Sequence, residues 1–351
     1  FKDAKVIKLE QNYRSTSNIL NTANSLIVNN IERKDKNLWT ANETGDEVIY
    51  KNNSVESEES KFVVDEIKKL VNQGYSYRDI AILYRTNAQS RPFEEVLMKN
   101  LIDYKVIGGL KFYDRKEIKD LISYLKVIVN PKDDVALKRI INEPKRGIGN
   151  KSVEQMNKIA SDNNISILEL ITDSGYEQLL SDRLKKLAYK FYNPLREIFE
   201  NALKYTITDL INEVLDKSGY LKVLESSYSV EDRARIDNIN EFISAASEYE
   251  ENNPDDTIYD YLENLSLISE LEKTEDKDDS VTLMTMHAAK GLEFPIVFVV
   301  GMDEGLFPGK RSIDEGNVEE ERRLFYVAIT RAREKLYLTS SEVRRAYGKP
   351  V

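Results

Sequence analysis

The stretch Val281-Thr-Leu-Met-Thr-Met-His-Ala-Ala-Lys-Gly-Leu-Glu-Phe-Pro-Ile-Val-Phe-Val-Val300 places two apolar runs on either side of a short polar loop. Val281 to Met286 and Ile296 to Val300 are short and rich in β-branched residues, so both read as buried strands. A strand that is apolar on both faces belongs inside a parallel sheet covered by helices. Neighbouring segments extend that sheet. Asp79-Ile-Ala-Ile-Leu-Tyr84, after a Gly-Tyr-Ser turn, predicts another buried strand, and Tyr104 to Ile107, ended by Gly108-Gly109, one more. Val48 to Tyr50 and Lys335 to Thr339 fit further strands. Between them, Ile19, Leu20, Ala23, Leu26 and Ile27 fall at helical spacing behind a cap at Ser15 or Thr16. Phe62, Val63, Ile67, Leu70 and Val71 trace a second amphipathic helix, and Glu319 to Glu334 a third.

The texture changes after Gly109. From about 110 to 276 the apolar residues recur at helical spacing with few strand signals: Leu121 to Val129, Leu179 to Phe191, Leu210 to Leu221 and Ile236 to Ala246. The acidic run Glu272 to Ser280 reads as a linker. The simplest architecture is an α/β domain built from residues 1–107 and 277–351, with an all-α domain, 108–276, inserted between them. A chain of 351 residues fits two such domains.

Composition excludes several classes of function. There is no cysteine, and His287 is the only histidine, so thiolate and histidine-rich metal sites are ruled out and no metal site is expected. The absence of cysteine suits a reducing cytoplasm. No run approaches the roughly 20 uncharged apolar residues of a membrane-spanning helix. Phe1-Lys2-Asp3 is neither an initiator methionine nor a signal pattern, which suggests part of a longer polypeptide. The net charge of −10 argues against nucleic acid only if charge is averaged. Acidic residues cluster at 248–256 and 270–279, and basic ones at Lys138-Arg139, Lys145-Arg146 and the last forty or so residues, which leaves room for a local basic surface.

Three constellations carry chemistry. Leu324, Val327, Ala328 and Arg331 share one face of the expected helix. A cation ending an apolar stripe needs a counter-charge. Spacing leaves two readings open: a salt bridge to Glu320 or Glu321, or a guanidinium presented to a phosphate, where it is worth roughly 10³–10⁵ in a phosphoryl-transfer rate. Asn12-Tyr13-Arg14-Ser15 precedes a helix and offers a ring for stacking and a fork for phosphate, or simply a capped turn. Thr285 to Phe294 forms a polar loop at a strand end, where α/β sheets place ligands, and it holds the lone His287. No G-x-x-x-x-G-K-[ST] occurs, so no phosphate-cradling loop is present.

Taken together, these segments resemble the ordered motifs of superfamily 1 DNA helicases of the UvrD/PcrA/Rep group. Leu9-Glu-Gln-Asn-Tyr-Arg-Ser-Thr16 is similar to motif IV, Val281 to Phe294 to motif V, and Glu320 to Ala332 to motif VI. Tyr84 to Arg91 and Gly108 to Lys119 fit between them. The abundance of Lys, Asn, Ile and Tyr points to a low-GC Gram-positive member. The resemblance implies a RecA-like (P-loop NTPase-type) sheet that lacks its own P-loop, subdomain 2A, and an inserted helical subdomain 2B. ATP would sit in a cleft shared with the missing 1A and 1B subdomains, which would bring the Mg²⁺ ligands. Tyr13 would stack on the base, Glu293 would meet the ribose, and Arg14 and Arg331 would be the catalytic γ-phosphate arginines. Single-stranded DNA would touch Asn87, Thr285, His287 and Tyr347, and duplex at the ss/ds junction the loop Lys145-Arg146-Gly147-Ile148-Gly149. Gly309 stands where some members have a DNA-contacting histidine, so that contact is absent or passes to Lys310 or Arg311. The isolated chain should not hydrolyse ATP. Two other readings are a stand-alone DNA- or partner-binding module and a piece of a RecB/AddA-type helicase–nuclease.

Overall fold

In the computed structural model, which describes residues 8, 10–31, 37–227, 229–271, 278–346 and 349–350, the run Ile80–Tyr84 is a strand buried at every position. It lies inside a six-stranded sheet. The strands are β1 (Ile49–Val55), β2 (Ile80–Tyr84), β3 (Tyr104–Ile107), β4 (Val281–Thr285), β5 (Phe294–Val299) and β6 (Ala332–Val343). Their order is β1-β6-β5-β2-β4-β3 and every pairing is parallel. Residues distant in sequence thus lie side by side: Ala81 pairs with Thr282 on one flank and Val297 on the other.

The sheet is covered on both faces, which is why its two central strands, β2 and β5, carry no charged or hydroxyl-bearing aliphatic side chain. The helices of this unit are α1 (Ser17–Ile27), α2 (Glu56–Asn72) and α3 (Ser90–Lys99). One face packs Ala81, Leu83, Met284, Val297 and Val299 against Ile19 and Ala23 of α1 and against Ala328 and Ile329. Helix α2 packs on β1 and β6, burying Val63, Val64, Ile67 and Leu70. Thr16 is the N-cap residue of α1, yet its side chain makes no capping bond. The Ser15 hydroxyl instead donates to the Ala332 carbonyl at 2.6 Å, tying the helix start to β6.

A separate unit begins at Phe112, and its described elements through Leu271 are all helical. Its helices are α4 (Lys116–Val129), α5 (Asp134–Ile140), α6 (Asn150–Asp162), α7 (Ile167–Thr172), α8 (Asp182–Asn201), α9 (Ile207–Ser218), α10 (Tyr220–Glu225), α11 (Val230–Asn252) and α12 (Ile258–Leu271). One core of Tyr124, Phe191, Leu195, Ile211, Ile239 and Phe242 serves them all. The 210–221 helix expected from spacing is broken at Gly219, whose φ of 73° is left-handed and strains any side-chain-bearing residue. Residues 345–350, read from sequence as α/β, cluster with this helical unit as two short antiparallel strands, β7 (Arg345–Ala346) and β8 (Lys349–Pro350).

The chain returns to the first unit through β4 and β5, followed by α13 (Lys310–Asp314) and α14 (Val318–Ile329). Helix α14 ends at Ile329, before Arg331, where sequence spacing had the helix continue to Glu334. The reason is the next strand. β6 starts at Ala332, so Thr330 and Arg331 must form the turn between them.

Candidate functional site

Arg14 and Arg331 meet at the edge of the sheet where β5 and β6 begin. The Asn12 side chain shapes the approach: its Oδ1 accepts from the backbone N–H of Arg14 at 2.8 Å and of Ser15 at 2.9 Å. That turn leaves Tyr13 on the surface with 78% of its area exposed and directs Arg14 inward. Arg14 Nε donates to Glu293 Oε2 at 2.5 Å and its Nη1 to the Thr330 carbonyl at 3.0 Å. Glu293 immediately precedes β5, and Phe294 N–H donates to the Arg331 carbonyl at 3.0 Å, so motif V and the α14–β6 turn are stitched together here.

Neither Glu320 nor Glu321 pairs with Arg331, so the salt-bridge reading fails. Glu320 pairs with Arg323, and Glu321 with Arg85. Arg331 instead folds back on the end of α14. Its Nε donates to the Val327 carbonyl at 2.9 Å, Nη1 to the Leu292 carbonyl at 3.1 Å and Nη2 to Thr330 Oγ1 at 3.2 Å. A cation there gives a charged donor to the Val327 carbonyl in the last turn of α14, which also accepts from Thr330 Oγ1 at 3.0 Å, and meets the negative end of the helix dipole. Among the described residues Arg331 has no carboxylate within salt-bridge reach. Burial and then the adjacent Arg14 guanidinium push its pKa down, against the pull of Glu293. Glu293 is held below the usual carboxylate range by the Arg14 hydrogen bond first, with Arg333 and Arg331 adding to it. The site therefore gathers three guanidiniums around one carboxylate, an arrangement that suits a polyanion.

A second group lies at the opposite edge, where β2, β3 and β4 end. Tyr84 and Thr285 are register partners, so the loops that follow them start side by side. Thr285 Oγ1 accepts from the Ala288 N–H at 3.2 Å and holds the turn that exposes His287. Partial burial, then the nearby Arg85, keeps the His287 imidazole below its ordinary range, although Glu321 pulls the other way. Asn87 opens the loop after β2, and its amide lies against Gly109, where a Cβ would sit 3.4 Å from Oδ1. The connection 286–293 then crosses the whole sheet, from Thr285 at this edge to Phe294 at the other. That is shorter than the dozen or more residues usual for a parallel crossover. Lys310 is exposed, while Arg311 pairs with Glu315 at 2.6 Å. Tyr347 lies outside the described residues.

In the helical unit the expected phosphate grip divides. Lys145 is exposed, Gly147 adopts φ 78° with open space around it, and Gly149 caps the N-terminus of α6. Arg146 departs from expectation. Its guanidinium turns inward, donating to the carbonyls of Ile140 at 3.2 Å, Pro144 at 3.1 Å and Ser218 at 3.0 Å and to Tyr124 Oη at 2.9 Å. It also covers the Phe191 ring at 5.4 Å. Carbonyls at the ends of α5 and α9 accept from this half-buried Arg, and a guanidinium spent on them is not free for phosphate. Arg146→Ala is expected to cost the helical unit about 2–3 kcal/mol in urea unfolding, because several buried acceptors lose a charged donor.

The sequence of the chain matches that of a known family along nearly its whole length: residues 7–343 fit the UvrD-like helicase C-terminal domain. The chain belongs to that family. It is 49% identical over 354 residues, 99% of this chain and 48% of the relative, to the protein named ATP-dependent DNA helicase PcrA of Staphylococcus epidermidis. It is 48% identical over 355 residues, all of this chain and again 48% of the relative, to the protein of the same name from Staphylococcus aureus. The chain thus spans about half the length of the curated relatives it matches. The source genus of both relatives agrees with the low-GC composition, and the parallel sheet agrees with a RecA-like fold.

Within this UvrD-like domain two features escaped sequence reasoning. Arg85 donates Nε and Nη2 to both oxygens of Glu321, each at 2.9 Å, joining the β2 loop to the start of α14. No local signal pairs residues so far apart. Arg333 also lies within 3.9 Å of Glu293. Its only sequence signal was its place as the second arginine of Thr330-Arg331-Ala332-Arg333.

Proposed function

We propose that this UvrD-like domain is the C-terminal half of the motor of an ATP-driven 3′–5′ DNA helicase, with residues 1–107 and 277–351 as subdomain 2A and 108–276 as subdomain 2B. The observation that carries it is the Arg14–Glu293–Arg331 convergence. Residues 279 positions apart in the chain are hydrogen-bonded at one sheet edge, beside an exposed tyrosine. On this reading the cluster is one wall of a nucleotide cleft, and the remaining half of the protein supplies the P-loop and the Mg²⁺ ligands. The donor set fits a triphosphate: an excess of guanidiniums for phosphate, a carboxylate for ribose hydroxyls and an unobstructed ring for the base. Arg14 and Arg331 would neutralise charge on the γ-phosphate, so closure of the cleft depends on the nucleotide state.

Single-stranded DNA would cross the opposite edge, at Asn87, Thr285 and His287, with Tyr347 as a stacking residue. Connection 286–293 and helix α14, about 18 Å long at 1.5 Å per residue, both run between the two edges. They give the hydrolysis site a short mechanical path to the strand. In the helical subdomain, Lys145 and the backbone amides at Gly147 and Gly149 would meet duplex phosphates, without the Arg146 side chain. Lys145→Ala should then lower the slope of log K against log salt by about 1 and leave stability unchanged. An unaltered slope would remove Lys145 from the interface.

The full-length protein is expected to unwind a duplex with a 3′ single-stranded tail in the presence of ATP and Mg²⁺, while the isolated chain turns over no ATP. Failure of the full-length protein to unwind either polarity, or multiple-turnover hydrolysis by the isolated chain, would overturn the reading.

A further inference from the structure

The two oxygens of Glu293 are divided between two arginines. Oε2 takes the Arg14 Nε hydrogen bond at 2.5 Å, and Oε1 faces Arg333 Nη1 at 3.9 Å. Arg331, the third guanidinium nearby, spends three of its five N–H groups on the carbonyls of Val327 and Leu292 and on Thr330 Oγ1 and pairs with no carboxylate among the described residues. Arg333 is different. Its side chain is 49% exposed, and among the described residues Glu293 is the only carboxylate within its salt-bridge reach. The first residues of β6 anchor it: Ser15 Oγ donates to the Ala332 carbonyl at 2.6 Å and Thr16 N–H to the Arg333 carbonyl at 3.1 Å. The backbone that carries Arg333 is therefore bonded to the same segment that carries Arg14.

We infer that Arg333 is the reserve counter-ion of Glu293, taking over the carboxylate when Arg14 leaves it for a nucleotide phosphate. This rests on the nucleotide-site reading above. The physical need is plain. A bidentate grip on phosphate that uses Arg14 Nε takes from Glu293 the donor it now holds, and covering the cleft would then leave a carboxylate both desolvated and unpaired, which is costly. Closing the 3.9 Å gap on the Oε1 side satisfies the charge and leaves Oε2 free to accept from a ribose hydroxyl. Arg333 is thus a positioning residue. It acts on the nucleotide through Glu293 and does not itself touch the phosphates.

The experiment is a binding titration of a fluorescent ATP analogue with the full-length protein and four variants: Arg333→Gln, Arg333→Lys, Glu293→Gln and the Arg333→Gln/Glu293→Gln double. Arg333→Gln is expected to weaken binding about two- to five-fold, the range of a partly exposed ion pair. Arg333→Lys should recover most of that loss, and the double variant should bind no more weakly than Glu293→Gln alone. Wild-type affinity in Arg333→Gln, or the same loss with and without Glu293, overturns the inference. ATP turnover of Arg331→Ala separates the two levels. If Arg331→Ala is inactive and Arg333→Gln binds like wild type, only the exchange is wrong. If Arg331→Ala turns over normally, the nucleotide-site reading falls and the exchange falls with it.

Discussion

Replacing Arg331 by alanine in the full-length protein is expected to lower ATP turnover by roughly three orders of magnitude or more, the range for removing a guanidinium from a phosphoryl-transfer site. The structure makes this a test of geometry as well as charge. The Arg331 fork is held by the Val327 and Leu292 carbonyls and Thr330 Oγ1 before any ligand arrives, so no ordering cost remains at the moment of reaction. Lysine has the charge but lacks the planar fork, so Arg331→Lys should recover only a small part of the rate. A purely structural role predicts something else. As a cation at the C-terminus of α14, Arg331 contributes about 0.3–1 kcal/mol of stability. That loss leaves nearly all molecules folded, because domains of this kind are stable by roughly 5–15 kcal/mol. The measurement is steady-state hydrolysis beside a thermal melt. Turnover within ten-fold of wild type, with the fold intact, removes Arg331 from the chemistry.

The largest effect on stability is expected from Glu59→Ala. Glu59 sits in α2 with no exposed area, an unusual place for a carboxylate. It is tolerated because every lone pair finds a donor. Oε1 accepts from the Gly301 N–H at 2.9 Å and from Thr339 Oγ1 at 2.5 Å, and Oε2 accepts from Ser341 Oγ at 3.3 Å and from Arg344 Nη2. Arg344 is also paired with Glu56 at 3.0 Å and with Asp303. Burial works against the Arg344 charge, but Glu59, Glu56 and Asp303 outweigh it and raise its pKa. Removing Glu59 leaves a buried cation short of one partner and three neutral donors without acceptors, at a cost of about 3–5 kcal/mol. Glu59→Gln keeps an acceptor for Gly301 and should cost less. Urea unfolding with a midpoint unchanged in Glu59→Ala would mean that the network relaxes around water and that this account of it is wrong.

Much of the α/β unit was legible along the chain, because the signals are local. Ile80 to Tyr84 and Ile296 to Val299 are apolar at consecutive positions, and only the middle of a covered sheet accepts such runs. The 3.6-residue spacing in Ile19, Leu20 and Ala23 likewise placed the buried face of α1. The order of the motifs sufficed to indicate the family.

What the sequence could not decide was the partner of each charge. Arg331 lies past the end of α14 and bonds to carbonyls, because β6 begins at Ala332 and ends the helix early. Glu321, one reach away on paper, is taken by Arg85, which the β2 loop delivers from 236 positions away. Arg146 reads as a free cation in Lys145-Arg146-Gly147 but turns inward to donate to carbonyls at the ends of α5 and α9. Secondary structure is set by neighbours in the chain, so amino-acid sequence alone determined the strands, the helices and the motifs they carry. The choice among competing counter-charges and carbonyls depends on which segments the fold brings within about 3 Å, so only the tertiary structure gathered Arg14, Arg331 and Arg333 around Glu293.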